Sequence, residues 1–367
     1  GVFHDQSMPL GGGCGWAVAR HWAAHKAAPV PHPARIDQTV ASIASAGAPV
    51  RARDVPGLTR GRLRAAIEAG RITMLRRGIA YPTDQWVLAD RAARHRIALE
   101  AALLAYPGSW ASHTSATRIQ GVDALTPADV DGMPMVHVSR TGTTLHEAGL
   151  MVHGQSVRDD QVACINGIPS STLVRATIEV AARRSIPQAA AVVDAGMRAT
   201  VAMTHSGDRL RYAVLDPSVT EPLRQTWDEA IAPYSRHRWV RTVREAVRIA
   251  NPASESFLES LSRVQMAHSG LPQPQCGFPM VGDDGVLYWL DFWWEKGSLI
   301  GEADGLLKYT TPDAMVREKH RSEALTGYGR TMVRWGMEQV VPSPEPMLRR
   351  IRAHLLPHSP PRGIGWS

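Results

Sequence analysis

Asp291 and Glu302 are the residues whose chemistry and spacing organise the reading of this chain. They flank the polar break Glu295-Lys296-Gly297-Ser298 in the segment from Leu287 to Tyr309, where aromatic and aliphatic residues run to Trp294 and resume at Leu299. Two β-rich runs around a short turn make a hairpin. Whether the turn is Lys296-Gly297 alone or all of Glu295 to Ser298, Trp294 faces Leu299, Trp293 faces Ile300 and Asp291 faces Glu302. Facing side chains of an antiparallel pair have Cβ atoms about 4.5 to 5.5 Å apart, a distance at which like charges repel. A divalent cation such as Mg²⁺ (or Mn²⁺) relieves that repulsion, because hard ions take one or two carboxylates and fill their other positions with water and phosphate oxygens. Asp304 shares the face of Glu302 by the period-two rule and joins the expected metal set. Gly305 suits a strand exit, and Lys308 follows within reach of the strand end.

Asp291, then Glu302-Ala303-Asp304-Gly305, then Lys308-Tyr309 resembles the pattern of bacterial domains related to the very-short-patch-repair (Vsr) endonuclease, within the PD-(D/E)xK nuclease superfamily. The resemblance runs over roughly residues 250 to 357. It implies a restriction-endonuclease-like mixed sheet flanked by helices and Mg²⁺- (or Mn²⁺-) dependent hydrolysis of phosphodiester bonds. Asp291 and Glu302 match the metal carboxylates, Glu255 in SESFLESL matches the upstream helical acid, and Lys308 stands in for the residue that orients or activates water. The superfamily's usual lysine, two residues after the Glu, is Asp304 in this chain. Competing readings accompany each match. The two acids can be strand residues neutralised by Arg or Lys from elsewhere. Asn251-Pro252 reads as an N-cap with proline at the first helical position, and Glu255 then sits in the first turns, where the helix dipole favours an acid in any case. Lys308 reads equally as a solvated lysine.

Such carboxylates need a scaffold, and the chain is long enough to supply several. Its 367 residues suggest two or three domains, and 44% hydrophobic with 20% charged residues describes a globular protein. Forty-one Lys and Arg against thirty-four Asp and Glu give a net charge of +7, which favours a polyanionic partner, with double-stranded DNA foremost. Cys14, Cys164 and Cys276 are widely spaced, so neither a disulfide framework nor a Cys-x-x-Cys zinc site is expected, and a cytoplasmic location fits. No long apolar run or signal-like segment occurs, so no membrane association is expected.

Residues 1–35 read as a flexible, Gly- and Pro-rich leader. From 36 to 84 the pattern is a helix from Ile36 to Gly47, a short second helix over Val50 to Val55, a third capped by Thr59 with Leu63 and Ile67 inward, and a hairpin about Arg76-Arg77-Gly78. That order is a winged helix-turn-helix, in which Arg60, Arg62, Arg64, Arg71, Arg76 and Arg77 would contact DNA. GLTRGRLRAAIEAG and LRRGIAY, at residues 57 to 81, resemble the N-terminal domain of AbiEi-type antitoxins. That resemblance implies an operator-binding autorepressor with a cognate toxin as partner. The opposing reading is a basic face that is merely solvated or binds protein.

The middle segment, 85–249, is expected to be an α/β domain with helices from Asp90 to Ala105, from Ser112 to Val122 and from Ser171 to Arg183, strands near Val136 and Leu150, and an Ala-rich helix from Pro187. His113 and Ser115 fall in an SH-x-SA segment that resembles AbiEi-like proteins. Packing or capping is the default role there, with Ser-His nucleophile chemistry as the lesser alternative. Trp227 to Ile249, basic through Arg236, Arg238, Arg241, Arg244 and Arg248 interleaved with Trp239, reads as a linker helix touching phosphate or simply solvated. The last domain, 250–357, closes with a helix from Asp313 to Leu325, a strand from Arg330 to Trp335 and a final helix from Glu345, before a tail at 358–367. A right-handed βαβ crossover results, with Arg317 and Arg321 expected on DNA beside the acidic pair. The fold class is therefore a multi-domain α/β protein. Two functions follow from it: a Mg²⁺-dependent endonuclease delivered by a winged helix, or a non-catalytic AbiEi-like repressor whose C-terminal fold is a binding platform.

Overall fold

A computed structural model describes residues 33–122, 132–303 and 312–355 as a mixed α/β protein with three sheets. The expected leader and tail, together with Asp304, Lys308 and Tyr309, lie outside the described residues except at 33–35, which already belong to the first helix.

The first sheet has the order β1-β3-β2, with β1 at Val50–Arg51, β2 at Ile72–Arg76 and β3 at Ile79–Pro82. Helices α1 (Pro33–Ala44) and α2 (Arg60–Glu68) cover it through Val40, Ile43 and Ala66. Thr59 caps α2, its hydroxyl accepting from Arg62 N at 3.3 Å, and the hairpin turns at Gly78 as its pattern implies. Two expectations fail. Val50 to Val55 is not a helix: the β-branched Val50 and Arg51 pair with Ala80 and Ile79, and only Ala52–Asp54 coils, as a 3₁₀ turn. Leu63 packs on the core of Val40 and Ile43 as expected, but the residues of α2 buried beside it are Ala65 and Ala66, and Ile67 is 37% exposed.

Helices α3 (Thr83–Leu88) and α4 (Arg91–Ala105) lead to the second sheet, order β6-β7-β5-β4-β9-β8. Its strands are β4 (Trp110–Ala111), β5 (Val136–Arg140), β6 (Leu145–Glu147), β7 (Leu150–Gly154), β8 (Val162–Ile165) and β9 (Ile168–Ser171), with helix α5 (His113–Ile119) after β4. Leu75, Ile79 and Tyr81 of the first sheet join one core with α4, β5 and β7, so the basic module is fused to this layer, not tethered to it. A helical layer follows: α6 (Leu173–Ala181), α7 (Ile186–Ala202), α8 (Gly207–Ala213), α9 (Pro217–Ile231) and α10 (Val240–Arg248). The expected linker helix over Trp227 to Ile249 is instead the end of α9 and all of α10. Trp227, Val240, Val243 and Val247 are core residues there, and the arginines form the outer face.

The third sheet has the order β10-β11-β12-β13. After α11 (Phe257–His268), strands β10 (Gln275–Val281), β11 (Leu287–Trp294) and β12 (Leu299–Ala303) form an antiparallel meander. Helix α12 (Pro312–Thr326) crosses over to β13 (Thr331–Trp335), parallel to β12, and α13 (Glu345–Leu355) closes the chain. One face of the sheet packs on α11, α13 and the α7–α8 corner through Phe292, Trp294, Trp335, Val201 and Ala213. Gly301 is required on β12: a Cβ there would lie 2.7 Å from the Trp335 ring and 2.9 Å from that of Trp294.

Candidate functional site

The hairpin register is the one the sequence implies. Trp294 pairs with Leu299, Trp293 with Ile300 and Phe292 with Gly301, so the next residues along the two strands are Asp291 and Glu302. The turn occupies Glu295 to Ser298, with Ser298 in the left-handed region at φ 44°. At the open end of the ladder the Asp291 carboxylate accepts from Ala303 N at 2.7 Å. Gly277 stands opposite Asp291 between the Cys276–Phe292 and Phe278–Leu290 pairs, in the left-handed region at φ 59°, where a Cβ would press on Ala253 at 3.3 Å.

Both acids line a cleft of about 790 Å³ between α11, β11, β12 and α12. Glu259 on α11 lines the same cleft, an acid that the sequence reading did not select. The helix begins at Phe257, with Ser256 as N-cap accepting from Glu259 N at 3.1 Å. Asn251 instead forms a local turn, accepting from Ala253 N at 3.0 Å. Glu255 therefore precedes the helix and lies at the rim of the cleft, held by Arg198 at 2.8 Å and Arg211 at 2.9 Å. Glu259 is buried on the first turn, and burial together with the charge of Asp291 pushes its carboxyl up to about 8.

Glu302, 5% exposed, is held by the guanidinium of Arg321 on α12, whose nitrogens lie 3.0 and 3.1 Å from its two oxygens. Arg321, expected on DNA, is thus engaged with the acid that was expected on a metal. Glu318 stands between Arg321 and Arg334, pairing with both. Arg317 and His320 are exposed on the cleft wall.

Asp291 and Glu302 are the one or two carboxylates that Mg²⁺ or Mn²⁺ commonly takes from a protein, but both oxygens of Glu302 are held by Arg321, and Glu259, Asp291 and Glu302 are not spaced as a three-donor set. Of the expected metal ligands, Asp304 is outside the described residues. Among the described residues, the group of three donor side chains spaced for a shared ion is a different one, His113, His137 and His153.

The basic module divides its arginines. Arg60, Arg62 and Arg77 are exposed, and Arg60 and Arg77 line a groove of about 510 Å³ with Arg53, which the sequence reading did not select. Arg64 pairs with Glu68 at 2.7 Å and Arg71 with Asp37 at 2.9 Å, both at the surface. Arg76 turns inward: its guanidinium donates to Ala148 O at 2.6 Å and Gly149 O at 2.8 Å, fastening β2 to the β6–β7 turn. It is a structural clasp, contrary to the expected phosphate contact. Ser115 is likewise structural, since its hydroxyl accepts from His137 N at 2.8 Å and lies 3.0 Å from His95 Nε2.

Uncharacterized proteins from two strains of Mycobacterium tuberculosis are 28% identical to this chain over 233 residues, covering 63% of it and 78% of their own length. No family model and no solved structure matches the chain.

Proposed function

We propose that the chain is a DNA-binding protein whose C-terminal unit hydrolyses phosphodiester bonds with Mg²⁺ or Mn²⁺, in the manner of the PD-(D/E)xK nucleases it resembles. The observation that carries this reading is convergence. A helix, a meander of three strands, a crossover helix and a parallel strand bring Glu259, Asp291 and Glu302 to one cleft from three different elements. Asp291 and Glu302 would hold the ion, with Glu259 beside it, and the ion would supply polarisation of the phosphorus centre and a more acidic water. The rest is the work of side chains. Arg317 and His320 on the cleft wall bind the phosphate backbone and orient it across the sheet edge. Glu259, whose raised pKa keeps a proton available near neutrality, is placed to exchange that proton with the attacking water or the leaving oxygen. Arg321, which now holds Glu302, would have to give up that carboxylate for it to serve as a ligand, and its guanidinium would then be free to pair with a phosphate. At the other end, the groove of Arg53, Arg60 and Arg77 beside α2 serves as the winged-helix contact to duplex DNA.

Cleavage of supercoiled plasmid by the purified full chain tests this reading. Nicking that requires Mg²⁺ or Mn²⁺ and falls at least about 100-fold in Asp291→Asn and Glu259→Gln supports it. Equal nicking in those variants, or none by the wild type with either ion, overturns it.

The bidentate Arg321–Glu302 pair favours a second reading, a non-catalytic AbiEi-like repressor that keeps the fold as a platform. Footprinting upstream of the chain's own gene separates the two: protection weakened by Arg60→Ala, without metal-dependent cleavage, selects the repressor.

A further inference from the structure

Three imidazoles meet in the middle layer, away from the carboxylate cleft. His137 on β5 and His153 on β7 share one face of the sheet, because Ser139, two residues beyond His137, pairs with His153 in the parallel ladder. His137 Nδ1 lies 2.9 Å from His153 Nε2. His113 arrives from the start of α5 and stacks on His153 with ring centroids 3.7 Å apart. One nitrogen from each ring lies within 4.8 Å of the other two. His113 reaches this place with φ at 49°, a left-handed backbone that is strained for a non-glycine residue and clusters at functional sites.

The electrostatics suit a ligand set. Burial, then His137 and Arg183, holds His113 well below the usual imidazole range, while burial and Arg183 take His137 down to about 4. In His153, burial and the other two rings bring the value to about 2. All three rings are therefore neutral at physiological pH, the form in which imidazole binds metals. Glu179 supplies the outer partner that such ligands commonly have. Its Oε2 accepts from His113 N at 3.0 Å and lies 3.5 Å from His113 Nδ1, while its Oε1 accepts from Arg175 at 2.8 Å and Gln155 at 2.7 Å. His113 Nδ1 has Ser112 Oγ at 3.1 Å as its hydrogen-bond partner, so Glu179 places this residue through its backbone N–H, and a ring so engaged at Nδ1 presents Nε2 to an ion. His113 and Glu179 also border a pocket of about 480 Å³ walled by Arg175, Arg183, Tyr234 and Trp239.

We propose that His113, His137 and His153 form a three-imidazole site for a divalent transition metal of the zinc type, positioned by Glu179, with the fourth ligand supplied from the adjoining arginine-lined pocket as water or a small anion. Three nitrogen donors and one open position are the arrangement of reactive zinc sites, whereas structural sites are closed by four protein ligands. Nitrogens shared by one such ion stand about 2.0 to 2.1 Å from it. The stacked His113 and His153 rings therefore turn edge-on as it enters.

The test is titration of the chelator-treated full chain with Co²⁺, followed by displacement with Zn²⁺. The site predicts one equivalent with the intense visible bands of nitrogen-ligated, low-coordinate cobalt. Those bands vanish in His137→Ala and His153→Ala, persist in Asp291→Asn, and require about 10- to 100-fold more metal in Glu179→Gln. Absence of bands in the wild type, or bands unchanged in the histidine variants, overturns the proposal. Imidazole ¹⁵N shifts of the wild-type protein with Zn²⁺ read the same site even where a variant does not fold: changes at His113, His137 and His153 support it, and changes only at other histidines refute it. Neither readout involves DNA cleavage, so the result stands apart from the fate of the nuclease reading.

Discussion

The guanidinium of Arg321 closes on both carboxylate oxygens of Glu302, at 3.0 and 3.1 Å, across the mouth of the cleft that also holds Asp291 and Glu259. A buried acid is thereby balanced by a side chain from the crossover helix, and the proposed metal site requires that pair to part.

Removing the guanidinium should expose that dependence. Arg321→Ala removes the bidentate guanidinium from a 5%-exposed carboxylate, a change that typically costs on the order of 3 to 5 kcal/mol when a pair is fully buried. With Arg321 one-fifth exposed, a loss of about 2 to 3 kcal/mol is expected in denaturant melts of metal-free protein. Mg²⁺ or Mn²⁺ should restore part of it. An unchanged midpoint would show that the pair contributes nothing.

Glu259 gives a pH dependence of definite sign. Its folded pKa of about 8 is above the unfolded value near 4.3, so the folded state binds the extra proton between them. Stability from this group is complete below the unfolded value and is lost as pH rises through the folded one. Melting temperatures from pH 5 to 9 should fall for metal-free wild type relative to Glu259→Gln. Parallel curves would mean that the carboxyl is not perturbed.

The arginines of the basic module should separate by role. Arg60→Ala and Arg77→Ala should weaken duplex binding and lower its salt slope by about 0.9 for each phosphate that is no longer neutralised. Arg76→Ala should instead lower the melting temperature, because Ala148 O and Gly149 O lose their donor. Equal reductions of affinity in all three would contradict the division.

Asp194 and Arg263 tie α7 to α11 by a buried ion pair of 2.8 Å, and the Asp194 carboxylate also accepts from Asn251 N at 2.6 Å. Asp194→Ala should cost on the order of 3 to 5 kcal/mol. Urea denaturation measures it, and a loss below about 1 kcal/mol would show the pair to be slack.

The hairpin was legible because its strands are rich in aromatic and branched residues and its turn is short, so the register of Asp291 and Glu302 followed from counting. The helical acid was legible too, though misread. Ser256-x-x-Glu259 is a capping-box pattern that marks the helix start more specifically than Asn251-Pro252, and it moves the inward acid from Glu255 to Glu259. Strand β10 escaped notice because Gly277 and Pro279 break its pattern, which an edge strand tolerates. The histidine cluster had no local signal. His113, His137 and His153 come from three elements with no ligand-type spacing, and only the parallel pairing of β5 with β7 beneath α5 assembles them. The inward turn of Arg76 was equally hidden, since its partners are backbone carbonyls far along the chain.

The most direct measurement is the anomalous difference map of a crystal grown with Mn²⁺. The expected result is a peak ligated by oxygens of Asp291 and Glu302, with Glu259 beside it and Arg321 swung away from Glu302. A map without density there, with the Arg321–Glu302 pair intact at saturating Mn²⁺, would contradict it.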